Sequence, residues 1–250
     1  MMHNCYIEAF VPNAKIKKEA SHLENSTTET PISLPLIGDD APAFEAMSTQ
    51  GKIVFPRDYK GSWVILFSHP ADFTPVCTTE FMMFAKLQNE FKALNTELIG
   101  LSIDSLHSHI AWLRVIKEKI SFKGMKDMDV TFPLIEDITM NVAKKYGMIH
   151  PNQSDTQSVR AVFIIDPKGK IRTILYYPLS TGRNFDELIR ILQALQKSDS
   201  EGVATPADWR PGDDLIVPPA ATAKIAERRM KGEEEGITCL DWFMCLKKDE

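Results

Sequence analysis

The chain has 250 residues, of which 44% are hydrophobic, and carries a formal net charge of −5 with a pI near 5.7. That size and apolar content allow one substantial core and a small appended unit. An acidic balance without a basic block argues against a nucleic-acid partner. No apolar stretch approaches the roughly 20 residues that cross a bilayer, so we expect no membrane partner either.

The predicted elements alternate along the chain. Strands are predicted at 52–55, 62–67, 97–103 and 132–135, helices at 75–94, 106–116 and 141–146, a hairpin at 161–165 and 171–177, and a helix at 185–196. The last helix begins with the capping-box pattern of Asn184 and Glu187. Alternating strands and helices closed by a hairpin indicate an α/β fold, a central mixed sheet flanked by helices on both faces.

The composition divides the chain into three parts. Residues 1–34 are mixed and polar, and we expect a disordered N-terminal extension there. Residues 35–199 hold the α/β domain. Residues 200–250 are turn-rich and too poor in apolar residues to form a core alone, so we expect a small C-terminal extension that lies across a neighbouring subunit and serves dimerisation.

The four cysteines, Cys5, Cys77, Cys239 and Cys245, are too few for a disulfide scaffold. The N-terminal stretch has no secretory pattern, so we expect a cytoplasmic protein, in which disulfides are usually transient and catalytic. The absence of Cys-x-x-Cys disfavours a thioredoxin-type centre. Cys239 and Cys245 lack zinc-type spacing and no histidine follows them, so we expect no metal and no cofactor.

Cys77 has the most informative setting in the chain. It follows the buried-strand pattern at 63–67, and Thr74 and Pro75 are a natural N-cap and first helical residue, which makes Cys77 about the third residue of a helix. Unpaired backbone N–H groups and the positive end of the helix dipole favour a thiolate there. The alternative from position alone is a buried, inert cysteine.

The pattern Pro-x-x-x-Thr-x-x-Cys, with Pro70, Thr74 and Cys77, resembles the active-site motif of the peroxiredoxins, and the longer run 67–80 resembles their 1-Cys-type branch. The resemblance covers about residues 35–250. It implies a thioredoxin-like fold and a thiol-specific peroxidase that reduces hydrogen peroxide and organic hydroperoxides in antioxidant defence. A redox-switched holdase chaperone built on the same oligomer is the alternative.

The resemblance also implies roles for the site residues. Cys77 is the nucleophile that becomes a sulfenic acid, and Thr74 places its hydroxyl on the peroxide. Pro70 shields the thiolate, and Arg160 contacts both the sulfur and the substrate. From the sequence alone, a surface arginine at a strand edge is the favoured interpretation of Arg160, and the motif match reverses that preference.

Three further residues are candidates for supporting roles. Arg183 matches a second arginine of this branch. His69 could bond near the sulfur or peroxide, or be a packed residue bonded to backbone. Glu80 could bind Arg183 or be a helix-surface charge. His107 and His109 are two apart on a helix, point to different faces, and form no metal pair.

The tail Cys239-Leu240-Asp241-Trp242-Phe243-Met244-Cys245 resembles that of archaeal and bacterial members of the branch. The resemblance implies that Cys245 resolves the sulfenic acid of a partner subunit as an intersubunit disulfide, and that Cys239 is an auxiliary exchange partner. It also implies a thiol reductant, such as thioredoxin or a related dithiol protein, and a homo-oligomer of dimers, most simply a homodecamer. A tail that only docks through Trp242 and Phe243 is the alternative.

Overall fold

A computed structural model describes residues 34–249. The predictions made for Cys5 and for almost all of the N-terminal extension therefore lie outside the described residues. A seven-stranded sheet holds the centre, built from β1 (Phe44–Ser48), β2 (Gly51–Phe55), β3 (Trp63–Ser68), β4 (Thr96–Ser102), β5 (Leu134–Glu136), β6 (Arg160–Ile165) and β7 (Ile171–Tyr177).

The sheet is mixed. Its strand order is β2-β1-β5-β4-β3-β6-β7. The inner pairs β3–β4 and β4–β5 are parallel, and the flanking pairs are antiparallel. The helices are α1 (Pro75–Ala93), α2 (Leu106–Lys119), α3 (Asn141–Lys145), α4 (Phe185–Glu201) and α5 (Ala223–Met230), and a single 3₁₀ turn covers Arg57–Tyr59.

The central strand β3 is buried along its whole length, and its side chains alternate between two cores. Ile65 and Phe67 face a core that includes residues of α1, α2 and α4. Val64 and Leu66 face a second core that includes residues of β1, β2 and α3. Burial on both faces explains why the sequence of β3 is a continuous apolar run, and it confirms a sheet with helices on both sides.

Several elements differ from the sequence prediction. Strand β1 was not predicted, because Phe44 and Met47 are its only large apolar residues. It is a strand because it pairs with β2 in antiparallel register. Helix α4 runs to Glu201, where Gly202 ends it in the left-handed conformation with φ of 64°, so it crosses the predicted 199/200 boundary. The chain end forms an unpredicted pair of strands.

The C-terminal extension builds a second, three-stranded sheet. Its strands are β8 (Leu215–Val217), β9 (Thr238–Asp241) and β10 (Met244–Lys247), in the order β8-β10-β9. Trp209 and Leu215 are buried against Ala194 of α4. These residues of the extension therefore pack on a surface of their own chain, whereas the sequence led us to expect the extension on a neighbouring subunit.

Within residues 34–249, no helix is long and apolar enough to cross a membrane.

Candidate active site

Strand β3 and helix α1 deliver Cys77 to the site. Thr74 has the extended backbone of an N-cap residue and Pro75 is the first helical residue, so Cys77 is the third. The N–H of Thr78 donates to the carbonyl of Thr74 at 3.0 Å, which places Cys77 before the first such bond of the helix. The Cys77 side chain is fully buried, and among the described residues it is the only cysteine outside a disulfide.

The Thr74 hydroxyl does not cap the helix. It donates instead to the carbonyl of Ala71 at 2.8 Å. Because its hydrogen is committed to that carbonyl, the Thr74 oxygen remains an acceptor in this conformation. The predicted N-cap position is correct, whereas the capping hydrogen bond expected with it is absent. Pro70 is buried at the start of the same loop.

Arg160 lies against the sulfur. Its Nη1 donates to Cys77 Sγ at 3.2 Å and to Glu80 Oε2 at 2.8 Å. Its Nε and Nη2 both donate to the carbonyl of Leu179, at 3.1 and 2.7 Å, which fixes the guanidinium plane. Arg160 is 2% exposed, so it is not the surface arginine at a strand edge that the sequence left open.

Glu80 joins Arg160 to Arg183. Its Oε2 accepts from Arg183 Nη1 at 2.6 Å, and its Oε1 accepts from the Arg183 backbone N–H at 2.9 Å. Arg183 Nη2 donates to the backbone carbonyls of Ser68 and Ala161, at the ends of β3 and β6. Burial lowers the pKa of Arg183, and the Glu80 carboxylate opposes that shift. Glu80 is therefore buried between two arginines and is not a helix-surface charge.

The charges of this cluster balance in one state. Arg160 and Arg183 carry two positive charges, Glu80 carries one negative charge, and all three residues are buried. A buried unbalanced charge is costly. A thiolate at Cys77 supplies the missing negative charge at hydrogen-bond distance from Arg160.

His69 belongs to a second buried network. Its Nε2 lies 3.0 Å from Asp72 Oδ1, and Asp72 Oδ2 lies 2.8 Å from His109 Nδ1. The His69 ring stacks on Trp112 with centroids 5.1 Å apart. The sequence left two alternatives for His69, a bond near the sulfur or peroxide and a bond to backbone. In the structure the partner of the ring is instead the Asp72 side chain. Burial is the largest influence on His69 and lowers its pKa.

Asp72 also belongs to a group of three side chains whose ligand atoms are close enough to hold a metal ion. Among residues 34–249, ligand atoms of His69, Asp72 and Asp104 lie within 4.8 Å of one another. Asp72 is already bonded to two imidazoles, and Asp104 Oδ2 accepts from the Asp72 N–H at 2.9 Å and the Ser102 hydroxyl at 2.7 Å. The group is an internal hydrogen-bond network.

The tail cysteines are bonded to each other. Cys239 and Cys245 face each other across β9 and β10 and form a disulfide. Cys245 is fully buried beneath the turn that joins the two strands, whereas Leu240, Trp242 and Phe243 of the same tail are exposed. The resemblance implied that Cys239 is an auxiliary exchange partner, and the sequence did not predict its disulfide with Cys245 within one chain.

Comparisons with known proteins agree with this geometry. Residues 37–174 match the model of the AhpC/TSA family, and residues 194–233 match the C-terminal domain of 1-Cys peroxiredoxin. A peroxiredoxin of Methanosarcina mazei is 68% identical over 216 residues, covering 86% of this chain and 99% of the relative. The chain belongs to the peroxiredoxin family.

Other relatives and solved structures support the assignment. A peroxiredoxin of Aquifex aeolicus is 55% identical over 87% of this chain and 98% of its own length. The structure of a yeast mitochondrial 1-Cys peroxiredoxin matches with a TM-score of 0.74 and 43% identity, over 86% of this chain and all of that one. Peroxiredoxin 6 of Arenicola marina matches with a TM-score of 0.74 and 37% identity, over 86% and 98%.

The family assignment confirms the thioredoxin-like fold expected from the sequence. It also makes this peroxiredoxin an oxidoreductase of the antioxidant, peroxide-reducing class, dependent on a thiol. Oligomeric assembly is typical of the family.

Proposed function

We propose that the chain is a peroxidase in which the Cys77 thiolate reduces hydrogen peroxide and organic hydroperoxides. One observation carries the proposal: Arg160 donates to Cys77 Sγ inside a buried cluster whose charges balance only when the sulfur is ionised. A cation beside the sulfur and a position at the start of a helix are typical of an activated cysteine and not of an inert buried one.

The reaction is a displacement at oxygen. The thiolate attacks the terminal peroxide oxygen, a sulfur–oxygen bond forms, and the oxygen–oxygen bond breaks. Cys77 becomes a sulfenic acid, and the departing oxygen takes the electron pair and then a proton to leave as water or an alcohol. Arg160 stabilises the charge that develops on that oxygen, and the Thr74 oxygen accepts a hydrogen bond from the peroxide O–H.

Cys245 of a partner subunit then resolves the sulfenic acid, with loss of water, as a Cys77–Cys245 disulfide. Cys77 and Cys245 are both fully buried, so this bond requires the first turn of α1 and the tail to move. The exposed Trp242 and Phe243 provide an apolar surface through which a tail can dock on a partner.

The disulfide within the tail supports a further exchange step. The Cys239 thiolate attacks the Cys245 sulfur of the mixed disulfide, which forms the Cys239–Cys245 bond and releases the Cys77 thiolate. The face-to-face positions of these cysteines on β9 and β10 support this step. Thioredoxin or a related dithiol protein would then reduce the tail disulfide.

We propose a homodimer as the functional unit and a homodecamer of five dimers as its assembly, in the cytoplasm. The tail supports the dimer, because its exposed aromatic residues are left without cover in a single chain. Nothing in the described part of the chain favours a holdase chaperone. Only peroxide turnover that does not need Cys77 would return us to this alternative.

Peroxide consumption by wild type and by Cys77→Ser tests the proposal. With a dithiol reductant in excess, wild type should consume hydrogen peroxide and Cys77→Ser should not. Cys5→Ser is the matched control and should keep the wild-type rate. Consumption that survives Cys77→Ser would remove Cys77 from the reaction.

A further inference from the structure

His109 is buried with both ring nitrogens facing oxygen. Its Nδ1 lies 2.8 Å from Asp72 Oδ2, and its Nε2 lies 3.1 Å from the backbone carbonyl of Ile135. A carbonyl oxygen only accepts hydrogen bonds, and so does an ionised carboxylate. A neutral imidazole has one N–H and would turn the lone pair of its other nitrogen toward one of these oxygens. Both contacts are hydrogen bonds only when both nitrogens carry protons.

The geometry of His69, the second imidazole of the network, requires a neutral ring. His69 Nε2 lies 3.0 Å from Asp72 Oδ1, whereas His69 Nδ1 has no partner. A protonated Nδ1 would be a buried N–H without an acceptor, which is more costly than a buried lone pair. The neutral ring with its proton on Nε2 satisfies the geometry.

We propose that His109 is a buried imidazolium and a positioning residue, which acts through the Asp72 carboxylate to hold His69 neutral, protonated on Nε2 and unprotonated on Nδ1. One positive and one negative charge then lie at hydrogen-bond distance, and the three side chains are neutral together. Only His69 Nδ1 and Arg183 Nε are buried side-chain polar atoms without a partner among the described residues.

The remaining charges near the network are compatible with a cation at His109. Asp104 lies after β4 and accepts from the Asp72 backbone N–H, and Glu136 at the end of β5 accepts from the N–H of Leu106 in the first turn of α2. The Asp72 pKa is about 2: burial pushes it upward, and the hydrogen bonds from His109 and His69 outweigh that push. The positive charge of His109 also lowers the pKa of His69.

Solid-state ¹⁵N NMR of histidine-labelled protein tests the charge assignment directly, whatever the size of the assembly. In wild type at pH 7, both His109 nitrogens should be protonated and His69 should be protonated on Nε2 alone. His109→Gln removes the cation, so His69 should gain a second proton at pH 7. Asp72→Asn removes the anion, so His109 should lose a proton. The exposed His107 supplies the control, because His107→Gln should change neither signal.

A wild-type His109 with an unprotonated nitrogen at pH 7 would overturn the proposal, and so would a His69 that stays neutral in His109→Gln.

Discussion

The guanidinium of Arg160 donates from Nη1 to the sulfur of Cys77 at 3.2 Å, and these two residues lie 83 positions apart in the chain. The contact exists because β6 pairs with β3, whose end leads into the loop that carries Cys77 to the start of α1. The other donors of Arg160 are held by Glu80 and Leu179, so the cation is oriented before any substrate arrives. Such preorganisation is what a reaction with a developing oxyanion requires.

Arg160→Ala should lower the rate of the first turnover with hydrogen peroxide about 10²-fold or more, because a preorganised donor to the departing oxygen is lost. Rapid-mixing kinetics measure this rate. Glu80 keeps Arg183 as its partner, so the variant should still fold. The control is Arg172→Ala, since Arg172 of β7 pairs with Asp199 instead. A loss of only a few-fold for Arg160→Ala would make this residue a bystander.

Glu80→Gln should destabilise the protein by about 3–5 kcal/mol, because it leaves two arginines buried beside each other with a single counter-charge at Cys77. It should also loosen the backbone at Arg183, whose N–H donates to Glu80 Oε1. Denaturant unfolding measures the effect. Glu90 lies exposed on the same helix, and Glu90→Gln should change the unfolding free energy by less than about 0.5 kcal/mol. Equal effects of the two substitutions would contradict the buried cluster.

The Asp72 carboxylate should contribute to stability in a defined range of pH. Its pKa in the folded protein is about 2, below the ordinary value of 3.8. A carboxyl group with a depressed pKa stabilises the fold above its unfolded-state pKa, and that contribution is lost as the pH falls through the folded-state value. The contribution should therefore be complete above about pH 4 and decline toward pH 2.

Unfolding free energies of wild type and Asp72→Asn test this dependence. The difference between them should shrink by about 2 kcal/mol as the pH falls from about 4 to about 2. Asp129 is an exposed carboxylate paired with Lys117, and Asp129→Asn should follow the wild-type curve. A wild-type to Asp72→Asn difference that stays constant over this range would show that Asp72 is not held in its ionised form.

The tail cysteines should give different products after one equivalent of peroxide. Cys239→Ser should accumulate a covalent dimer through Cys77 and Cys245, because the exchange that releases Cys77 is blocked. Wild type should form that dimer transiently and end as single chains with the tail disulfide, and Cys245→Ser should form no dimer. Non-reducing gels over time measure these products. A dimer in Cys245→Ser that is absent in Cys239→Ser would reverse the roles of the two cysteines.

The sequence was sufficient to predict the part of the site that is local. The apolar run of β3 and the Thr74-Pro75 helix start place Cys77 without knowledge of any distant contact. The burial of Arg160 and Glu80 depends on the pairing of β6 with β3 and on the loop before α4, so the sequence left a surface role open for each.

Two residues of the site were not predicted. Asp72 lies inside the recognised motif, yet nothing in its local pattern shows that it is buried between two imidazoles. His109 was considered only as half of a metal pair with His107, and its partners Asp72 and Ile135 come from two other parts of the chain. The sequence of α2 indicates which of its residues face the core, but it does not show which polar groups of other elements they meet there. Only the tertiary structure brings this network together.

Chemical trapping of the oxidised sulfur tests the central claim most directly. The double variant Cys239→Ser and Cys245→Ser has no tail thiol to resolve a sulfenic acid, so that species should persist after one equivalent of hydrogen peroxide. Labelling with dimedone followed by peptide mass spectrometry should find the adduct at Cys77, in about one copy per chain. Consumption of peroxide without an adduct at Cys77, or with the adduct at Cys5 instead, would contradict the assignment of Cys77 as the peroxide-reducing residue.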